Sequence, residues 1–312
     1  MEREERIFPS SSGICNIHTI IWYPDSDEYS KPVGVIQIAH GMIDHIERFD
    51  NMAEFFADKG FVVAGNDHLG HGDSVNSEED YGYFAKGNHG ADYLIKDMHR
   101  LTRIMKKTYP DIPYILIGHS MGSFMARKYA CIYGDELDGV IFLGTGNQPK
   151  IVVNTGLKLA HAAKLIHGDR YRSKLLNKIM FGAYNKRIKD NRTSNDWLTK
   201  DTEIVDGYLS DPKCSYMFTA NGYIGFLNVI KYDINEKNIA ETPKELPVLF
   251  ASGEDDPVGD YGKAVKKVFK LYTKYVDNVE LRLYEDDRHE LHSETNRQEV
   301  FEDLYEWIEN NV

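Results

Sequence analysis

Between residues 33 and 144 the chain repeats one pattern. A short apolar run rich in β-branched residues is followed by a polar turn and then by a longer stretch whose apolar residues recur every three or four positions. Residues 33–39, 61–64, 114–117 and 139–144 are the apolar runs, and each reads as a strand buried on both faces. Residues 47–59, 91–109 and the stretch from Ser123 onward carry the helical spacing, with Gly60 and Pro110 closing the first two. Strands that alternate with helices need parallel crossovers, so the pattern predicts a mostly parallel sheet with helices on both faces. Residues 17–23 predict one earlier strand, ended by Pro24-Asp25.

The rhythm stops at about residue 146. From there to 243 the chain has helical stretches rich in Lys, Arg, Tyr and Phe and no comparable apolar strand. It resumes with a strand at 246–252, a helix at 261–275, a strand at 279–284 and a last helix at 295–309. The expected organisation is therefore an α/β core made of residues 1–145 and 244–312, interrupted once by a helical cap at 146–243.

Composition adds exclusions. Apolar residues are 42% and charged residues 28% of 312, ordinary for a soluble globular chain. The first six residues, Met-Glu-Arg-Glu-Glu-Arg, have no apolar signal core behind them, and no run reaches a membrane-spanning length, so a cytoplasmic protein with no transmembrane segment is expected. Cys15, Cys131 and Cys214 are odd in number and far apart, which fits thiols better than a disulfide frame or zinc knuckle. A net charge of −12 argues against nucleic acid as a partner. The charge is uneven: residues 149–225 hold 13 Lys and Arg against 7 Asp and Glu, a net of +6, which leaves −18 on the rest. A basic cap on an acidic body could meet anionic lipid surfaces, although a solvated helical face also accounts for it.

The chemistry centres on Gly118-His119-Ser120-Met121-Gly122, a GxSxG sequence between a predicted strand and a predicted helix. Such a turn holds the serine in strained backbone geometry at a helix N-terminus, where free N–H groups favour developing negative charge. A serine hydroxyl needs a base, and the base needs a group that orients it. All should lie in loops at the carboxyl ends of the strands. The loop after 246–252 offers Glu254, Asp255 and Asp256; the proline that follows favours Asp256, with the other two left open. After the last strand come His289 and His292; His289 is nearer the strand end and is preferred as base, with His292 the alternative. His289-Glu-Leu-His292 lacks the spacing of an HExxH zinc helix, so no metal is expected. Gly144 and Gly146 make a lone GxG, too weak for a dinucleotide site, and no cofactor is expected. Gly41 permits close approach after strand 33–39, which assigns the oxyanion donors to the backbone N–H groups of Met42 and Met121. His40 and His119 are read as loop-holding residues, and residues 67–74 as a rigid wall of the site.

These motifs resemble the monoacylglycerol lipase and lysophospholipase branch of the α/β hydrolases, which is also grouped with serine aminopeptidase-like hydrolases. The match spans nearly the whole chain: His40-Gly41, His45, Arg48 and Phe49; Asp67-His-Leu-Gly-His-Gly-Asp-Ser74; GHSMG at 118–122; Ser252 to Gly259; and Arg288-His289-Glu290. The resemblance implies the α/β-hydrolase fold, with nucleophile, acid and base at Ser120, Asp256 and His289. It implies hydrolysis of carboxylic esters, monoacylglycerols or lysophospholipids, through an acyl-enzyme. It is weakest in the cap, apart from Asp211 to Thr219. Tyr216, Phe218, Tyr223 and Phe226 flank that stretch and are expected, with Gly41, to contact the substrate; plain aromatic packing is the competing explanation. Two rival functions stand beside this one: an aminopeptidase of the same superfamily, and a non-catalytic ligand receptor on a hydrolase fold.

Overall fold

The computed structural model describes residues 2–87, 89–189 and 191–312. Its strands are β1 (Glu2–Pro9), β2 (Asn16–Tyr23), β3 (Gly34–Ala39), β4 (Phe61–Asn66), β5 (Tyr114–His119), β6 (Gly139–Leu143), β7 (Val248–Gly253) and β8 (Val279–Tyr284). They form one sheet in the order β1-β2-β4-β3-β5-β6-β7-β8. Every pair from β4 to β8 is parallel, whereas β1–β2 and β2–β4 are antiparallel.

The apolar runs are continuous because the sheet has a core on each face, and successive residues point to opposite sides. Val35, Leu116, Val140 and Phe250 face one core; Ile36, Ile117, Ile141 and Leu249 face the other. The second is closed by α1 (Asp50–Asp58) through Met52 and Phe56 and by the C-terminal helix, residues 297–311, through Phe301, Leu304 and Trp307. The first is closed by α2 (Gly90–Thr108), by α3 (Met121–Tyr133) and by the helix at residues 263–272.

β1 is the element that the hydrophobic pattern misses. Five of its eight residues are charged, and it pairs along its full length with β2 at the edge of the sheet. An edge strand buries little, and charge there discourages pairing with another chain.

Between β6 and β7 the chain forms α4 (Lys150–His167), α5 (Lys174–Phe181), α6 (Thr202–Ser210), α7 (Ala220–Asp233) and the single turn α8 (Glu236–Ile239), with no strand among the described residues. α9 (Lys263–Tyr272) and α10 (Arg297–Asn311) complete the order. Most of α7 is buried, whereas α4 and α5 leave Ile151, Leu165, Ile166 and Leu175 exposed. Among the described residues no helix is long and apolar enough to cross a membrane.

Candidate active site

Ser120 stands between β5 and α3 with φ 52° and ψ −119°, a conformation that side chains normally avoid. Its backbone is held on both sides: its N–H donates to Leu143 O at 3.0 Å, and its carbonyl accepts from Ser123 N at 2.9 Å and Ser123 Oγ at 2.6 Å. The flanking glycines serve close approach. A Cβ on Gly118 would lie 2.4 Å from Gly122 O, and one on Gly122 would lie 2.0 Å from Ala39 O, so any side chain would push β5, α3 and β3 apart.

The loop after β7 turns Asp256 inward and leaves Glu254 and Asp255 exposed. The Asp256 carboxylate accepts from Val258 N at 2.8 Å and Ser252 Oγ at 3.3 Å. Its Oδ1 lies 3.0 Å from His289 Nδ1, and both side chains are almost wholly buried. That approach is close but off the line of a good hydrogen bond, and Nε2 of His289 has no hydrogen-bond partner among the described residues. The Ser120–His289 bond is thus not made here; such bonds commonly tighten only when substrate binds. His289 and Ser120 nevertheless line the same cavity. His292 lines neither cavity described below; it stacks on Phe49 with ring centroids 4.2 Å apart.

The loop after β3 runs beside the serine. A Cβ on Gly41 would lie 3.3 Å from Ser120 Cβ. The Gly41 N–H is taken by Asp44 Oδ2 at 3.0 Å. The Met42 N–H has no protein acceptor among the described residues, and Met121 opens α3, where N–H groups lack intrahelical partners. His40 accepts from His68 N at Nε2 (2.9 Å), so its Nδ1 carries the proton and donates to Gly41 O at 2.8 Å. Burial, and then the neighbouring His71, push its pKa down to about 3, so it is neutral. His119 is likewise held well below the usual histidine range by burial and by His292 and His289, and its Nε2 reaches His289 O at 3.4 Å.

Residues 67–74 lie behind the site, not in its wall: none of them lines either cavity. Buried Asp67 accepts from His18 Nδ1, Ile46 N and Asp73 N at 2.8–2.9 Å, and His68 bonds to His40. This loop supports the loop that carries Gly41, one layer removed from substrate.

Other residues tie the loops together without a local sequence signal. Arg48 makes a two-pronged pair with Glu290 (2.9 and 2.6 Å) and bonds Asp44 at 2.8 Å. Burial opposes the guanidinium charge, but Glu290 and Asp44 outweigh it and raise its pKa well above the ordinary value. Arg48 and Glu290 each stand in a quoted motif, but nothing in the sequence pairs them across 242 residues. Trp197 packs over His289, ring centroids 5.0 Å apart. His45 Nε2 bonds Asp211 Oδ2 at 2.8 Å, with Cys214 close enough to complete a set of metal donors; His18, Asp67 and Asp73 form a second such group. In both groups the imidazole and a carboxylate already bond each other.

Two cavities meet at Ser120 and Met42, with Phe181 and Trp197 also between them. The larger, about 460 Å³, has Gly41, Tyr216, Asn177, Asn185 and Asn195 in its wall. The smaller, about 220 Å³, is apolar and includes Tyr223, Phe226, Leu227 and Ile230. Phe218 lines neither; it is fully buried among His71, Phe84 and Tyr223, so packing accounts for it.

Residues 30–296 match the profile of the Hydrolase_4 family, serine aminopeptidase S33. A monoacylglycerol lipase of Mycolicibacterium smegmatis is 26% identical over 311 residues, covering 98% of this chain and 97% of its own. A monoglyceride lipase of Homo sapiens is 26% identical over 293 residues, covering 90% of this chain and 85% of its own. The crystal structure of a thermostable carboxyl esterase from Bacillus coagulans, in complex with glycerol, superposes with a TM-score of 0.90 at 30% identity, covering 100% of this chain and 99% of that one. The chain belongs to the serine aminopeptidase S33 family and, within the α/β hydrolases, to its monoacylglycerol lipase-like branch.

Proposed function

We propose that the protein is a serine hydrolase of carboxylic esters that carry one long acyl chain on a small polar alcohol, monoacylglycerols or lysophospholipids. One observation carries the choice of substrate: the serine sits where the smaller, apolar cavity meets the larger one, whose wall adds the side-chain amides of Asn177, Asn185 and Asn195, so an ester bond can lie at Ser120 with its acyl chain on one side and its alcohol on the other. Ser120 Oγ attacks the acyl carbonyl as His289 Nε2 takes its proton. Asp256 keeps the imidazole oriented and stabilises its charged form. The N–H groups of Met42 and Met121 meet the developing oxyanion. Collapse expels the alcohol with the proton from His289. Water activated by the same imidazole then releases the fatty acid.

Residues 146–243 act in this reading as a cap. The relatives named for monoacylglycerol and monoglyceride hydrolysis, and the esterase structure at 30% identity, support the ester assignment. An aminopeptidase would need a free carboxylate for the substrate ammonium. The carboxylates in the wall of the larger cavity, Asp44 and Glu290, are both engaged by Arg48. A fluorophosphonate probe should label the wild type and not Ser120→Ala, and the wild type should cleave acyl glycerols or lysophospholipids in preference to aminoacyl amides. Labelling that persists in Ser120→Ala refutes the mechanism; faster cleavage of the amides refutes the substrate class.

The cap also has the chemistry of a lipid-docking face. Exposed Ile151, Val152, Leu165 and Ile166 on α4 and Leu175 and Ile179 on α5 lie among Lys150, Lys158, Lys174 and Lys178. Val152 and Ile179 also line the apolar cavity, so that cavity opens at this face. The protein should sediment with anionic vesicles more than with neutral ones, and Leu165→Glu/Ile166→Glu should reduce that binding. Equal absence from both kinds of vesicle rules the docking role out.

A further inference from the structure

Arg127 lies on α3, two turns beyond Ser120, and is completely buried. It makes no ion pair among the described residues. Its terminal nitrogens donate instead to two backbone carbonyls, Nη1 to Gly146 O at 2.8 Å and Nη2 to Asp233 O at 3.0 Å. Those carbonyls belong to two different parts of the chain: Gly146 is in the loop that leaves β6, and Asp233 is the last residue of α7. A guanidinium is suited to this place because its planar fork offers separate N–H groups in fixed directions, and its charge favours the carbonyl end of a helix.

The three elements joined in this way are walls of the apolar cavity. α3 contributes Phe124, the loop after β6 contributes Gln148, and α7 contributes Phe226 and Ile230. Arg127 itself lines neither cavity; its guanidinium carbon lies 5.5 Å from the Phe124 ring centroid. The loop after β6 has little freedom to move. A Cβ on Gly146 would lie 2.6 Å from Val258 O, and one on Gly144 3.0 Å from His289 O. If the grip of Arg127 loosened, the wall free to shift would be α7, while the serine, acid and base loops stayed packed together.

We infer that Arg127 is a positioning residue that holds α7 against α3 and so sets the width of the apolar cavity and the enzyme's preference for long acyl chains. The inference rests on the ester-hydrolase reading above. The test is to purify Arg127→Lys and Arg127→Gln, which cannot reproduce the two-carbonyl grip, and to measure kcat and KM for p-nitrophenyl esters from acetate to dodecanoate. Acetate turnover should stay close to wild type, while kcat/KM for dodecanoate falls about tenfold or more, mainly through KM. That factor corresponds to about 1.4 kcal/mol of differential binding. An equal loss at every chain length, or no change at any, overturns the inference. So does failure of both variants to fold, which would assign Arg127 to stability alone. A wild type that cleaves none of these esters and takes no fluorophosphonate overturns the ester reading itself. A wild type that discriminates by chain length, with variants that discriminate equally, overturns only the role of Arg127.

Discussion

Ser120 and His289 face one cavity but are held there by contacts of different range. The serine's backbone bonds run to Ser123 and Phe124 on its own helix and to Leu143 on the next strand. The loop that carries His289 is fastened from far away. Arg288 Nη1 donates to Asp196 O and Thr199 O at 2.7 and 3.0 Å, Glu290 N donates to Leu198 O at 2.7 Å, Lys200 Nζ meets buried Asp287 at 2.8 Å, and Arg48 grips Glu290. Four of those partners lie within residues 196–200, between β6 and β7. A displacement of that segment would therefore be felt first at the imidazole, while the strained serine turn kept its geometry.

The largest effects should come from removing either end of this arrangement. Ser120→Ala and His289→Ala should each lower ester turnover by about 10⁴-fold or more, and the double variant should be little worse than either, since groups that act as a unit are strongly non-additive. Steady-state kinetics on one soluble ester, with folding checked by circular dichroism, measures this. Multiplicative losses would mean that the two residues do not serve one reaction.

The same contrast explains what the chain discloses as sequence. The turn at Ser120 is written in adjacent residues: an apolar run, two glycines two positions either side of a serine, and a helical period. The choice of Asp256 over its neighbours rests on strand order and one proline; the structure buries Asp256 and leaves Glu254 and Asp255 exposed. Two features carry no local signal. β1 escapes the pattern because an edge strand needs no apolar signature, and the pairing of Glu290 with Arg48, Trp197 and residues 198–200 escape it because their partners are roughly 90 to 240 positions away. Phe218 shows the converse: aromatic character and a neighbouring motif suggested substrate contact, but only the fold could place its ring behind the cavity wall.

The next effect in size tests the long-range side directly. Arg48→Met leaves Asp44 and Glu290, both about 3% exposed, as uncompensated buried carboxylates. Breaking a buried pair in this way costs about 3–5 kcal/mol of stability. Displacement of the His289 and Gly41 loops should lower kcat/KM on the order of 10²-fold. Adding Glu290→Gln removes one stranded charge, so Arg48→Met/Glu290→Gln should melt at a higher temperature than Arg48→Met. A double variant no more stable than the single would show that Glu290 does not depend on Arg48.

The smallest effect on catalysis is expected where the helix after Ser120 is tied to the end of α7. Beside Arg127, the buried Asp233 carboxyl is pushed up to about 8 by burial, with Arg127 and Lys128 offsetting only part of that. The other ionisable neighbours are Cys131, Tyr232 and Tyr272, none of which supplies a compensating positive charge. Because the folded pKa lies above the unfolded value, Asp233 favours folding fully only below about pH 4, and that contribution is lost as pH rises to about 8. Asp233→Asn keeps the carbonyl that Arg127 uses and removes the titration. Its melting temperature should exceed that of wild type by a margin that grows from pH 4 to 8 and is constant above, at ~2–4 °C for each kcal/mol relieved. The rate of Ser120 labelling by a small fluorophosphonate should be unchanged, because a serine turn fixed by its own helix and the next strand has no need of that carboxyl. A labelling rate that moved with the melting temperature would mean that the serine turn, like the base loop, is held in place from a distance.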